Sequence, residues 1–486
     1  MTYPESVRTA PFTGRVYLMF VRENAAAGES PAPRGGREPR FGPDWFDPQP
    51  FFSQEVTDWK PDETLTFGNT VAGLTGPLGE LAAGAYRVQA IMRSNLDSPS
   101  IGRGSGNIYS TVRSVTIEAS NLAGETPAPQ PISLKLDQVV AEREFPSSAR
   151  LKTIELRSRL LSDFYGRDVL MHAAVVLPPD FEEHPDARYP ALYVIPGFGG
   201  DHRMAQMFMR MGAAKSAIVK IVLDPSAYTG HHVFADSENN GPRGRALVEE
   251  FIPYIEEHFR VERSGSHRYL TGMSSGGWSS LWLQVTYPDV FAGVWSFSPD
   301  PVDFRDFQGI DIYADGANMF RDAEGKRRPL ARRGEEVMIW YDAFAAMDEA
   351  IGLGGQLRSF DAVFSPKGAD GHPSRLWDPR TGAIDPAVAK AWQKYDIRLV
   401  LERNWPALKD KLAGKLHIIV GDRDTFYLEG AVKRLAASLK DLGSDAEVVI
   451  LPGVDHGGSF SPARLAAIDQ TITERFAKKD SEGLRD

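Results

Sequence analysis

The stretch HRYLTGMSSGGWSSLWLQ, residues 267–284, decides how the central part of this chain folds. Arg268–Met273 reads as a strand, the serines and glycines as a tight turn, and the apolar run from Trp278 as a helix. A Gly-x-Ser-x-Gly pattern says little in a chain with 45 glycines, but strand and helix flanks are the context of a nucleophile elbow. There the nucleophile's backbone is strained, and the residues two before and two after it press on the adjoining strand and helix. Both must be glycine. Ser274 has Gly272 and Gly276 in those places, whereas Ser275 would have Met273 and Gly277. Ser274 is therefore the candidate nucleophile. Ser275 supplies a backbone N–H where an oxyanion would form, and its hydroxyl is expected to be dispensable.

Outward from the elbow, strands alternate with helices, the mark of a mostly parallel α/β sheet. YPALYVIPGFGG (189–200) and SAIVKIVLDP (216–225) are apolar runs of the kind buried on both faces, and KLHIIVGD (415–422) and DAEVVILPG (445–453) continue the series. GRALVEEFIPYIEEHFRV (244–261) repeats its apolar positions at helical spacing. Residues 301–395 break the rhythm with charged loops and scattered aromatics, and read as a cap inserted between two core strands.

The first third differs. GRVYLMFV (14–21), YRVQAIM (86–92) and STVRSVTIEA (110–119) are strand-like and separated by Pro/Gly-rich loops, which suggests a β-sandwich-like domain over 1–121. Residues 122–145 form a proline-rich linker, and 146–486 the catalytic domain.

Composition narrows the function. With 55 Lys+Arg against 65 Asp+Glu the net charge is −10, which argues against a nucleic-acid surface. The chain has no cysteine, so disulfides, zinc–thiolate sites and cysteine nucleophiles are excluded. No metal-binding motif is present: His231 and His232 are adjacent, a poor chelating spacing, and no cofactor is expected. No apolar run is long enough to span a membrane, and MTYPESVRTAPF lacks the apolar middle of a signal peptide.

A serine needs a base and an acid that orients it. In the α/β-hydrolase order both follow the nucleophile, each on a loop after a late strand. Of ten histidines only His456, in VVILPGVDHGGSF, lies downstream and directly after a strong strand. His372 falls in the insertion, His417 lies inside a strand, and His202, His231 and His232 precede the serine and could line a pocket. For the acid, HIIVGDRDTF offers Asp424, favoured by its spacing from Gly421, with Asp422 as runner-up; Asp455 is too close to the base. The second oxyanion donor is expected at the N–H of Phe198, in Pro196-Gly197-Phe198-Gly199-Gly200.

These segments together resemble the putative-esterase family of α/β-hydrolases, which includes feruloyl and acetylxylan esterases, S-formylglutathione hydrolases, siderophore esterases and mycolyltransferases. The resemblance rests on Ser237 and Gly241 before the helix with EEFIPYIEEHF, on Gly272-Met273-Ser274-Ser275-Gly276, and on YPDVFAGVWSFSP. It covers residues 165–300 and, more thinly, 415–460. It implies a serine carboxylic-ester hydrolase with Ser274, Asp424 and His456 as triad and Phe198 and Ser275 as oxyanion donors. An acyltransferase or peptidase on the same triad, or a non-catalytic binding protein on this fold, are the other readings. Pro196 stands where many members have histidine, and the insertion is longer than usual. Trp340 and Trp377, within that insertion, are candidate substrate-binding residues for a small-molecule or polymer-linked ester. A loop-rich β-domain ahead of an esterase suggests a periplasmic or secreted protein.

Overall fold

A computed structural model describes residues 1–23, 38–74, 76–118, 131–210 and 216–483. Residues 122–130 of the expected linker lie outside them, as do residues 28–37 of a Pro/Gly-rich stretch after the first expected strand. The chain divides into two units, residues 1–144 with 343–358, and 145–342 with 359–486.

The first unit is built on one antiparallel sheet. Its main strands are β1 (Phe12–Arg22), β2 (Phe51–Trp59), β3 (Gly84–Met92), β4 (Ile108–Ser110), β5 (Arg113–Ile117) and β6 (Leu136–Val139). They run in the order β2-β1-β3-β4-β6. The third strand is shared: Gly84–Val88 pair with β5 and Ile91–Met92 with β4. Apolar side chains of these strands, among them Val16, Phe20, Phe52, Tyr86 and Val88, form the unit's own core. Residues 136–139, linker-like in composition, complete this sheet by pairing with β4. Residues 343–358 were not foreseen here. A helix that ends at Ile351 leaves its last carbonyls without partners, and the sheet supplies donors. Arg15 Nη1 donates to Glu349 O (3.0 Å), Ser53 Oγ to Ala350 O (2.5 Å) and Tyr17 Oη to Ile351 O (2.7 Å).

The second unit has an eight-stranded sheet. Its strands are β7 (Leu151–Arg157), β8 (Leu170–Val176), β9 (Ala191–Ile195), β10 (Val219–Leu223), β11 (Arg268–Met273), β12 (Gly293–Phe297), β13 (Leu416–Gly421) and β14 (Glu447–Leu451). Their order is β14-β13-β12-β11-β9-β10-β8-β7, and all neighbours are parallel except at β8. This is the α/β-hydrolase fold. β9 and β12 are buried at every position, as strands covered on both faces must be. Register then places the chemistry. Ile195 pairs with Gly272, Gly272 with Ser296, Phe297 with Ile419 and Gly421 with Leu451. The loops beginning at 196, 274, 298, 422 and 452 therefore all leave the same carboxyl edge of the sheet, where open α/β sheets bind their ligands. No helix among the described residues is long and apolar enough to cross a membrane.

Candidate active site

The elbow closes as the glycine argument requires. Ser274 has φ 61° and ψ −126°, and α1 (Ser275–Thr286) starts immediately after it. A left-handed backbone at serine costs on the order of 1–3 kcal/mol, so the surroundings must hold it. Ser274 N–H donates to Phe297 O, and Ser274 O accepts from Trp278 N–H and Asp300 N–H. The two glycines are obligatory: a Cβ at Gly272 would stand 2.2 Å from Gly276 O, and one at Gly276 would stand 2.0 Å from Ile195 O.

His456 follows β14, and its Nδ1 lies 2.8 Å from Asp424 Oδ2. Asp424 is fully buried and His456 nearly so. The second carboxylate oxygen of Asp424 accepts from Phe426 N–H at 2.9 Å, which fixes the rotamer facing the imidazole. Burial pulls the imidazole's pKa down, but the charges of Asp424, Asp300 and Asp455 outweigh it and hold it above the ordinary histidine value of 6.5. The other two acid candidates have different work. Asp422 accepts from Gly453 N–H (2.7 Å), tying two loops together, and Asp455 accepts from Gly458 N–H (2.9 Å).

Loop 196–200 lies against the elbow, since a Cβ at Gly197 would come within 3.3 Å of Ser274 Cβ. His231 anchors that loop. Its Nδ1 accepts from Val233 N–H (3.1 Å), so its Nε2 carries the proton and donates to Pro196 O (2.9 Å). Burial pushes its pKa down to about 4, keeping the ring neutral as this arrangement needs. His231 and His232 are buried, not open pocket walls. His202 pairs with Asp224 at 2.8 Å, and His372 sits in an exposed turn. His417 stacks on Trp295 (5.0 Å, 7°) as a sheet residue.

Two residues were missed. Asp300, just beyond β12, accepts from Ser275 Oγ (2.6 Å) and from Ser274 Oγ (3.4 Å). The expectation that the Ser275 hydroxyl is dispensable thus meets a buried hydrogen bond. The strand-end position that makes Asp424 a candidate after β13 holds equally for Asp300 after β12. Arg332 belongs to a hairpin of the insertion (Pro329–Arg333 with Glu336–Trp340). Its N–H donates to Thr425 O, its Nε to Asp424 O (3.0 Å) and its Nη2 to Glu429 (2.5 Å). The loop that carries Asp424 is thereby held from the insertion side, and no local sequence signal announces that.

Of the expected substrate contacts, Trp377 is buried with Tyr341 packed edge-on against it at 6.4 Å. Trp340 is half-buried under the guanidinium of Arg327, 4.9 Å from its ring. Other aromatics of the insertion bury one another on the helix that follows Ser274. Phe364 packs on Trp278 and Trp392 (both 5.1 Å), and Phe304 joins them at 5.3 Å from Phe364.

Residues 167–444 match the family described as "Putative esterase", more than half of the 486 residues, and the chain belongs to that family of carboxylic ester hydrolases. Three solved structures are similar over nearly their whole length. A ferulic acid esterase matches with 14% identity, covering 67% of this chain and 98% of its own (TM-score 0.42). An S-formylglutathione hydrolase from Agrobacterium tumefaciens matches with 15% identity, 67% and 95% coverage and a TM-score of 0.40. A fluorophosphonate-binding serine hydrolase of Staphylococcus aureus matches with 16% identity, 67% and 97% coverage and a TM-score of 0.39.

Proposed function

We propose that this chain hydrolyses carboxylic esters through an acyl-enzyme on Ser274, with His456 as proton carrier and Asp424 as its orienting acid. The observation that carries the reading is the buried 2.8 Å Asp424–His456 pair, on the same sheet edge as a strained Ser274. With Nδ1–H directed to Asp424, the imidazole keeps Nε2 free to take a proton. The Ser274 oxygen attacks the ester carbonyl as His456 removes its hydrogen, and the tetrahedral oxyanion is met by the N–H groups of Phe198 and Ser275. The imidazolium, stabilised by Asp424, then protonates the leaving alcohol. Water attacks the acyl-enzyme by the same route in reverse, and the acid is released. The substrate is a small-molecule or polymer-linked ester.

The test is Ser274→Ala assayed on p-nitrophenyl acetate. The expected loss in kcat is about 10^5-fold, with an unchanged melting temperature. Turnover within tenfold of wild type would remove Ser274 from the mechanism.

A further inference from the structure

The loop after β12 carries a carboxylate that the triad does not use. Asp300 is buried, and both of its oxygens are engaged by the elbow: Oδ2 by Ser275 Oγ at 2.6 Å and Oδ1 by Ser274 Oγ at 3.4 Å. Its own N–H donates to Ser274 O, so backbone and side chain grip the same turn. Among the described residues the Ser274 hydroxyl hydrogen bonds to Asp300 and not to His456. The same loop reaches the base's side as well. Ser298 Oγ donates to Ser459 Oγ (2.9 Å), and Ser459 Oγ donates to His456 O (3.0 Å).

From this placement we infer that Asp300 is a third carboxylate of the reaction centre, one that holds the resting Ser274 hydroxyl and fixes the oxyanion residue Ser275. The inference rests on Ser274, Asp424 and His456 acting as proposed. A carboxylate against the nucleophile has two consequences. Ser274 must leave Asp300 before His456 can take its proton, so the resting hydroxyl is parked and released when substrate arrives. Asp300 also adds a negative charge beside His456, which favours the imidazolium. The titratable groups facing it are His456 from the loop after β14 and Asp424 from the loop after β13; the elbow contributes only hydroxyls. Burial raises the Asp300 pKa to about 6, against the lowering pull of Ser275, His456 and Ser274. Its charge therefore appears near the pH range in which His456 itself titrates.

A carboxylate that merely braced the turn would affect stability and leave the pH profile alone. Asp300→Asn keeps the shape and removes the charge. The acid limb of kcat/KM on p-nitrophenyl acetate should then move to lower pH, by about half a unit or more. Ser275→Ala keeps Asp300 but deletes its shorter hydrogen bond, so Asp300 stays protonated to higher pH; the limb should move the same way by less. This second variant carries the test if Asp300→Asn does not fold. An acid limb fixed at the wild-type position in a folded variant, with Ser274 still labelled by a fluorophosphonate, overturns the role of Asp300 alone. Absence of labelling at Ser274 in the wild type overturns the triad and this inference with it.

Discussion

The elbow of residues 267–284 and the insertion of 301–395 meet on the helix that follows Ser274, yet they are specified in opposite ways. At the elbow each residue type follows from a local steric need: Gly272 and Gly276 stand where a Cβ would come within about 2 Å of backbone oxygen. In the insertion no position has such a need. Its aromatics Phe304, Phe364 and Trp392 find one another and Trp278 across nearly a hundred residues of sequence. Residues 343–358 group with the N-terminal sheet, whose side chains supply donors to a helix end. A local constraint can be read from one sequence. A set of tertiary partnerships cannot, because many pairings of aromatics satisfy the same composition.

The sharpest way to break this contrast is at the acid. Asp424→Asn should lower kcat about 10^4-fold, because the amide presents the wrong hydrogen-bonding partner to His456 Nδ1–H. Asp422→Asn loses only the Gly453 N–H bond and should stay within a few-fold. Comparable losses in the two would mean that the spacing from Gly421 does not mark the acid.

Next in size is the support that the insertion lends to that loop. Arg332→Met removes the donors to Asp424 O and Glu429 while keeping the stem of the side chain. It should lower kcat about tenfold or more, because a small misplacement of a catalytic group costs rate steeply, with KM little changed. A fall in stability with wild-type kcat would reduce the hairpin to packing.

The smallest kinetic effect is expected at Trp377. Its burial against Tyr341 makes it part of the insertion's own core. Trp377→Ala should cost about 3–5 kcal/mol of stability and leave the ranking of p-nitrophenyl esters by chain length unchanged. A changed ranking with an unchanged melting temperature would restore it as a substrate contact.

The same division explains what could be read in advance. The parallel sheet, the elbow and the pairing of Asp424 with His456 were legible, because buried apolar runs, paired glycines and strand-end positions each carry a physical requirement. The spacing from Gly421 favoured Asp424, and it is Asp424 rather than Asp422 that faces His456. The order serine, acid, base points to loops after late strands and passes over Asp300, although the edge of the sheet treats the loop after β12 no differently. His231 looked like a pocket residue, yet it is a buried neutral ring that holds Pro196 O. Its role depends on a contact between residues 35 apart, which periodicity does not encode.

Everything proposed for the site depends on Ser274, and not Ser275, being the nucleophile. The most direct measurement is fluorophosphonate labelling of the wild-type protein followed by mass spectrometry of the labelled peptide. One phosphonylated residue, Ser274, is expected, with labelling that rises with pH as His456 loses its proton at a pH above the ordinary histidine value. Modification at Ser275, or a folded protein that takes up no label, would contradict it.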